Sequence, residues 1–298
     1  MTQTFHANGK LLLTAEYFIL DGAVGLALPS KFGQSLKVED SSENGLTWES
    51  FDHKNEIWFS AKFDEQFTII HTTNVAVAEI LQVLLQKSNC THHNAHITTK
   101  LDFPNHWGLG SSSTLISLIA QWTNANPYEL LQHTFGGSAY DIACATAKNA
   151  ISYQLTSQNT RQITALDFNP AFKENIYFVH LGKKQNSREG IQLYKKSHID
   201  KTTIIEQINE LTHKIIHAID LDEFCYYLEV HENIIANALN LQKVKETFFQ
   251  DFPGTVKSLG AWGGDFIMVC SDEKQEMITH YFQNKGFSTI IPYNAMIL

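Results

Sequence analysis

Residues 108–113, with the sequence GLGSSS, combine two residue types that suit the binding of a polyphosphate. Glycines let the backbone approach a ligand closely, and serines add hydroxyl groups that can contact phosphate oxygens. Apolar residues from 115 to 122 then recur at helical spacing, which predicts that the segment opens a helix. The unpaired amides and the positive dipole end of such a helix favour an anion. An ordinary helix capped by one of the three serines is the alternative that these residues leave open.

A second glycine-serine segment, 136–138, precedes a run of small residues that contains Asp141. Ser138 and Asp141 have the spacing of a capping box, in which both side chains bond to amides at the helix start. The aspartate could instead accept or orient the proton of a substrate hydroxyl group. Lys10 could be a solvated strand residue, as most lysines are. The residues by themselves leave both interpretations open.

Two common nucleotide-binding fingerprints are missing from the sequence. GLGSSS lacks the third glycine of GxGxxG, and GxxxxGK[ST] occurs nowhere. Rossmann and P-loop nucleotide sites are therefore not expected. The GxSxG elbow of a serine nucleophile is absent as well.

GLGSS resembles the second motif of the GHMP kinases, the superfamily of galactokinase, homoserine kinase, mevalonate kinase and phosphomevalonate kinase. Three further stretches resemble motifs of the same superfamily, in the same order. Residues 8–17 (NGKLLLTAEY) resemble the first motif, and residues 137–141 (GSAYD) resemble the segment that carries the catalytic aspartate. Residues 257–265 (KSLGAWGGD) resemble the third motif. Together the matches cover nearly the whole chain and indicate the mevalonate and phosphomevalonate kinase branch.

Carried over position by position, the resemblance implies a set of site residues. Asp141 and Lys10 are expected to be catalytic, with Lys10 offsetting charge near the aspartate and the transferred phosphoryl group. The phosphates of ATP are expected to contact Gly108, Leu109, Gly110, Ser111, Ser112 and Ser113, and Mg²⁺ is expected to contact Ser112. The substrate is expected to contact Glu16, Ser138, Lys183, Ser187, Gly263 and Gly264. Residues 183–188 form the densest basic cluster of the chain, which is either a solvated loop or suited to an acidic substrate.

The sequence departs from the family pattern at several positions. Asn8 replaces a proline, Ala15 replaces a glycine, and Trp262 stands where the third motif has a small residue. Trp262 could pack under its loop or narrow a substrate pocket. The family's metal-binding glutamate would fall on Leu130, with Glu129 beside it. Either the register shifts by one residue, or the metal is held by serine, phosphate and water.

The elements that must position these residues alternate irregularly between strand and helix, which predicts an α+β fold. Residues 5–40 are expected to form strands, including YFIL at 17–20. Two long helices are predicted at about 201–219 and 222–241. We expect an N-terminal nucleotide-binding domain over 1–170 and a second domain over 171–298. The resemblance implies a ribosomal S5 domain 2-like fold for the first, a ferredoxin-like fold for the second, and an active site between them.

Composition narrows the partners. Lys and Arg number 22 against 31 Asp and Glu, which disfavours a nucleic-acid footprint because phosphate-backbone affinity needs clustered cations. No stretch approaches the roughly 18 apolar residues of a membrane span, and the start does not resemble a signal peptide. The four cysteines lie far apart, which favours a reduced, cytoplasmic setting. The cysteine and histidines at Cys90, His92, His93 and His96 could be zinc ligands, but solvated edge residues are favoured.

The expected function is ATP-dependent phosphoryl transfer to a small hydroxyl- or phosphate-bearing acceptor, with Mg²⁺ as cofactor. The resemblance implies mevalonate or 5-phosphomevalonate as the acceptor, hence a place in isoprenoid biosynthesis, and a monomer or homodimer. One alternative is an enzyme similar to mevalonate-diphosphate decarboxylase, against which the pair Glu16-Tyr17 counts. The other is a homologue that binds nucleotide or ligand without turnover.

Overall fold

The computed structural model describes residues 2–156, 160–183, 187–196, 199–260, 262 and 265–298, without the side chains of 187–189 and 193. The substrate contacts expected at Gly263, Gly264 and the side chain of Ser187 lie outside this description.

Twelve strands and ten α-helices occur in the described residues. The strands are β1 (Thr2–Leu12), β2 (Gly25–Asp40), β3 (Gly45–Phe51), β4 (Ile57–Phe63), β5 (Ile69–Thr72), β6 (Asn94–Leu101), β7 (Ile151–Leu155), β8 (Arg161–Ala165), β9 (Ile176–His180), β10 (Thr255–Ser258), β11 (Phe266–Cys270) and β12 (Ile290–Pro292). The helices are α1 (Val75–Lys87), α2 (Ser111–Thr123), α3 (Pro127–Thr134), α4 (Tyr140–Ala145), α5 (Ser187–Lys196), α6 (Lys201–Ile216), α7 (Leu221–Leu239), α8 (Val244–Phe248), α9 (Gln275–Asn284) and α10 (Tyr293–Met296). The expected α+β class is confirmed. None of the helices in the described part of the chain is both long and apolar enough to cross a bilayer.

The chain divides into two compact units whose segments alternate along the sequence. The first unit comprises Met1–Lys10, Phe32–Asn105 and Leu109–Thr146, and the second comprises Leu11–Lys31, His106–Gly108 and Ala147–Leu298. Because the segments interleave, these units do not test the sequential boundary expected near residue 170, which stays a prediction.

The first unit packs helices against a mixed sheet. β3 pairs antiparallel with β4 and parallel with β6, and β6 pairs antiparallel with the second half of β2. Alternate residues of β6 are buried, so one face of this strand meets the core. The α1 helix starts at Asn74, whose side chain accepts the Val77 amide, and it buries one apolar face. The largest fully buried side chains of this core are Trp48, Phe59 and Phe63, and the core also contains Leu81, Leu84, Ile97, Ile116 and Ile119.

The second unit contains a four-stranded antiparallel sheet with the strand order β10-β11-β9-β12. Helices α5 to α8 lie between β9 and β10 in the chain, and α9 lies between β11 and β12. This sequence of elements is the βαββαβ pattern of a ferredoxin-like fold, with extra helices in the first crossover. In the same unit, the first half of β2 pairs with β7, and β7 pairs with β8.

The strand predicted at 17–20 is wrong. Phe18–Asp21 forms a short 3-10 helix that ends at Gly22, where the backbone is left-handed with φ of 93°. Phe18 and Ile19 are consecutive and both buried. A strand would point them to opposite faces, whereas a tight helical turn directs both into the core of the second unit.

Candidate active site

The α2 helix begins without a side-chain cap. Its N-cap residue, Gly110, has a left-handed backbone with φ of 91° and, as a glycine, has no side chain with which to cap the helix. The Ser113 hydroxyl donates back to the carbonyl oxygen of Gly110 over 2.8 Å, and the Ser111 hydroxyl bonds to Asn105 Oδ1 over 3.1 Å. The serine-capped alternative needs Ser111, Ser112 or Ser113 at the N-cap position, whereas that position is held by Gly110.

Lys10 lies directly beside this helix start. Its backbone amide donates to the carbonyl oxygen of Leu109 over 3.0 Å, and the Leu109 side chain is fully buried. A Cβ atom on Gly110 would lie 3.3 Å from both Cγ and Cε of Lys10 and 2.7 Å from Ser113 Oγ. The Lys10 side chain therefore packs against Gly110, in space that a side chain at position 110 would partly fill.

Asp141 is brought to the same place by a turn rich in left-handed residues. Gly136 and Gly137 have φ of 64° and 102°, and Ala139, the N-cap of α4, has φ of 68°. The N-cap of α4 is Ala139, so the helix does not begin at Ser138 as the suggested capping box of Ser138 and Asp141 requires. Asp141 Oδ1 instead accepts the amide of Ile142 over 3.0 Å.

The carboxylate of Asp141 is surrounded by groups that act on its charge. Desolvation raises its pKa, and the Lys10 charge, the Ile142 amide and the Ser113 hydroxyl each lower it in part. Lys10 Nζ also lies over the ring of Tyr140, 5.6 Å from its centroid. Desolvation raises the pKa of Tyr140 to about 12, so this phenol stays neutral. The structure thus brings Lys10, Ser113 and Asp141 together within the first unit.

This cluster has the parts of a proton-handling and anion-handling site. A carboxylate with a raised pKa is a better proton acceptor than an exposed one, and a neighbouring cation offsets the charge it carries. The N-terminus of α2 adds oriented amides and a positive dipole end. The arrangement can hold an anion beside a base.

The remaining predicted phosphate and substrate residues lie in different surroundings. Ser112 is exposed on the first turn of α2, whereas Ser138 is buried. Lys183 is exposed in the loop after β9. Glu129 is also exposed, and its Oε1 accepts from the side chain of Asn126, the N-cap of α3. Glu129 is therefore accounted for as a surface helix residue.

In the second unit, Gly108 and Asp265 lie in close contact. A Cβ atom on Gly108 would lie 2.2 Å from the carboxyl group of Asp265, so position 108 has no room for a side chain while Asp265 stays in place. Trp262 has a left-handed backbone with φ of 59°, its side chain is buried, and its indole nitrogen donates to the carbonyl oxygen of Gln242 over 3.0 Å. Packing against its own unit therefore accounts for the Trp262 side chain.

Glu16, predicted to contact the substrate, is fully buried in the second unit and binds Lys257 through Oε1. Both neighbours of Glu16 have left-handed backbones, with φ of 68° at Ala15 and 61° at Tyr17. The Ala15 amide donates to Nε2 of His231 over 3.1 Å. A substrate contact for Glu16 stays a prediction, and the burial of its carboxylate disfavours it.

A second carboxylate completes this buried charge cluster. Glu232 lies 4.0 Å from Nζ of Lys257 and accepts both the amide and the hydroxyl of Ser258. Desolvation raises the pKa of Glu232 to about 7 and also raises that of Glu16, while Lys257 lowers both. Desolvation holds the pKa of His231 well below its usual value, in keeping with its role as an acceptor. One lysine therefore lies beside two buried carboxylates, each with a raised pKa.

Sequence reasoning assigned no role to Lys257, His231 or Glu232. In the sequence, Lys257 stands out only as part of the third motif, and residues 222–241 predict only a long helix. A His-Glu pair within an apolar helix was the available signal, but its partners come from distant parts of the chain.

No protein-family model matches this chain, and no curated protein does. Among solved structures, mevalonate kinase from Methanococcus jannaschii matches with a TM-score of 0.74 at 15% identity, covering 98% of this chain and 97% of that one. The chain has the fold of the GHMP kinases.

Two further structures show the breadth of this fold. Streptococcus pneumoniae phosphomevalonate kinase, solved with phosphomevalonate and AMPPNP, matches with a TM-score of 0.72 at 16% identity, covering 96% of this chain and 97% of that one. Lactococcus lactis galactokinase, solved with galactose, matches with a TM-score of 0.67 at 13% identity, covering 96% and 89%. The fold expected from the motifs is therefore confirmed.

We predict that Gly110→Ala lowers the free energy of unfolding by more than about 2 kcal/mol. A left-handed backbone costs alanine about 1–2 kcal/mol, and the new Cβ atom would also crowd Ser113 and Lys10. Gly136→Ala is the matched control, since Gly136 has φ of 64° and a Cβ there would have no atom within 4 Å. Urea unfolding of both variants checks the difference. Equal losses would show that the crowding at Gly110 carries no cost.

We predict that Lys257→Met lowers the free energy of unfolding by about 3 kcal/mol or more, because it leaves two buried carboxylates without their cation. Lys37→Met is the control, since the Lys37–Glu39 pair at 2.9 Å is exposed and should be worth less than about 1 kcal/mol. Chemical unfolding near neutral pH measures both. Similar small losses would contradict a structural role for the buried pair.

Proposed function

We propose that this protein is an ATP-dependent phosphotransferase that acts on a small hydroxyl- or phosphate-bearing molecule. The observation that carries the proposal is the convergence of Lys10, Ser113 and Asp141 at the uncapped start of α2. The fold supports it, because the solved structures with this fold include mevalonate kinase, phosphomevalonate kinase and galactokinase.

In this proposal, the phosphates of ATP lie at the segment 108–113, where the first-turn amides of α2 donate to phosphate oxygens. Asp141 accepts or orients the proton of the acceptor hydroxyl group. Lys10 offsets negative charge between the Asp141 carboxylate and the transferred phosphoryl group. Phosphoryl transfer depends mainly on alignment and charge neutralisation, which these residues are suited to provide.

Mg²⁺ fits this site as a companion of the nucleotide. The described residues contain no group of three or more His, Cys, Asp or Glu side chains that could hold a metal by themselves. The exposed Ser112 hydroxyl is a hard oxygen ligand on the first turn of α2, and Mg²⁺ commonly takes most of its ligands from phosphates and water. Ser112 would hold the ion, which would neutralise charge on the β- and γ-phosphate oxygens.

The proposed acceptor is mevalonate or 5-phosphomevalonate, which would place the protein in isoprenoid biosynthesis. The first and third motifs favour the phosphorylated molecule, and the exposed Lys183 suits an acidic acceptor. The galactokinase neighbour shows that the same fold also serves a neutral sugar, so a panel of acceptors is needed. The division near residue 170, the cytoplasmic location, and the monomeric or homodimeric state are further proposals that rest on the sequence.

We predict that Asp141→Asn lowers kcat by about 10²–10⁴-fold, because the amide cannot accept a proton, while binding of an ATP analogue persists. Glu129→Gln is the control, because Glu129 is an exposed carboxylate bonded within α3. ADP release over a panel of isoprenoid precursors, sugars and amino alcohols measures turnover. A wild-type protein that binds ATP but turns over no acceptor would instead favour the non-catalytic homologue, and CO₂ release would favour the decarboxylase.

We predict that Ser113→Ala moves the acid limb of the kcat profile to higher pH. Activity should fall as pH falls through the pKa of Asp141, and the Ser113 hydroxyl group beside the carboxylate lowers that pKa in part. Ser111→Ala is the control, since the Ser111 hydroxyl bonds to Asn105. An acid limb that stays in place or moves to lower pH in Ser113→Ala would argue against Asp141 as the base.

A further inference from the structure

Two cysteines of the second unit lie on neighbouring elements, outside the candidate active site. Cys225 is on the first half of α7, and Cys270 is the last residue of β11. Both are free thiols, with Cys225 partly exposed and Cys270 buried. They are separated by 45 residues in sequence, so only the tertiary fold could bring them together.

The contacts of Thr255 place the two thiols side by side. Thr255 is directly opposite Cys270 in the β10–β11 pair, and such residues point to the same face with Cβ atoms about 5 Å apart. The Thr255 hydroxyl donates to Glu229 of α7 over 2.8 Å, so this face of the sheet meets α7. Cys225 is one turn before Glu229 on the same side of the helix. Cys225, Thr255 and Cys270 therefore converge.

The electrostatics agree with this geometry. The Cys270 thiol bonds to the sulfur of Cys225, which is the main reason why the pKa of Cys225 is lowered. Burial and the same bond raise the pKa of Cys270 well above its usual value. A partly exposed thiol with a lowered pKa is the form that reacts with oxidants, because the thiolate is the nucleophile.

We propose that Cys225 and Cys270 form a redox-active dithiol that closes to an intramolecular disulfide when the protein meets a peroxide. The Cys225 thiolate attacks one peroxide oxygen, the O–O bond breaks, and the leaving hydroxide takes a proton to become water. The Cys270 sulfur then attacks the resulting Cys225 sulfenic acid, the S–O bond breaks, and the second water leaves with the Cys270 proton. Two thiols are oxidised by two electrons, and one hydrogen peroxide is reduced to two waters.

The other two cysteines, Cys90 and Cys144, serve as controls because their thiols are expected to react less readily with peroxide. Cys90 is buried, its thiol donates to the carbonyl oxygen of His92, and desolvation raises its pKa to about 11. Cys144 is fully buried beside Asp141, and desolvation raises its pKa as well. Neither has the access and the thiolate character of Cys225.

The test treats the full chain with a small excess of hydrogen peroxide and counts thiols after denaturation. We expect the count to fall from four to two, to return to four with dithiothreitol, and a non-reducing peptide map to show a Cys225–Cys270 link. Cys225→Ser should form no disulfide, and Cys90→Ser should fall from three thiols to one.

The peptide map of the wild-type protein decides the outcome even if a cysteine variant fails to fold. Four surviving thiols, a link that involves Cys90 or Cys144, a link between two chains, or Cys225 oxidised to sulfinic acid with Cys270 still free would each overturn the proposal.

Discussion

The geometry of the candidate active site depends on Gly110, a glycine with a left-handed backbone at the start of α2. With φ of 91° it starts α2 without a side-chain cap, and the Ser113 hydroxyl donates back to its carbonyl oxygen. The same missing Cβ gives Lys10 room to cross the loop. Any larger residue would have to move both the serine and the lysine, because atoms of both lie within 3.3 Å of the Cβ position. Position and chemistry therefore depend on one glycine.

Asp141 depends on the same neighbourhood for its chemistry. Burial raises the pKa of Asp141 by disfavouring the charged carboxylate, and the nearby cation, amide and hydroxyl group partly offset this increase. A carboxylate in such surroundings accepts a proton more readily than an exposed one. Its position on a six-residue helix, after a turn of glycines and Ala139, directs it toward Lys10 rather than toward its own helix cap.

In the second unit, a strained turn at residues 15–17 is stabilised by buried partners from distant parts of the chain. Ala15 and Tyr17 have left-handed backbones, a conformation that costs a non-glycine residue about 1–2 kcal/mol. The Ala15 amide is bonded to His231, and Glu16 between them is paired with Lys257. Because a buried charge is costly unless it is paired, the turn and its distant partners stabilise one another. Ala15 stands where the first motif of the family has glycine, and these bonds explain how alanine is accommodated.

The sequence by itself determined the elements whose cause is local. Glycine-serine segments at 108–113 and 136–138 precede helices because glycine permits the turns and the apolar spacing that follows is helical. The order of the motifs also predicted the fold, and the ferredoxin-like sheet follows from the order of strands and helices. The tertiary structure decided what each side chain faces. Only packing shows that Glu16 is buried against Lys257, 241 residues away, and that Asp141 shares its surroundings with Lys10. Desolvation and charge pairing depend on contacts between residues far apart in the chain, so a local sequence pattern cannot predict them.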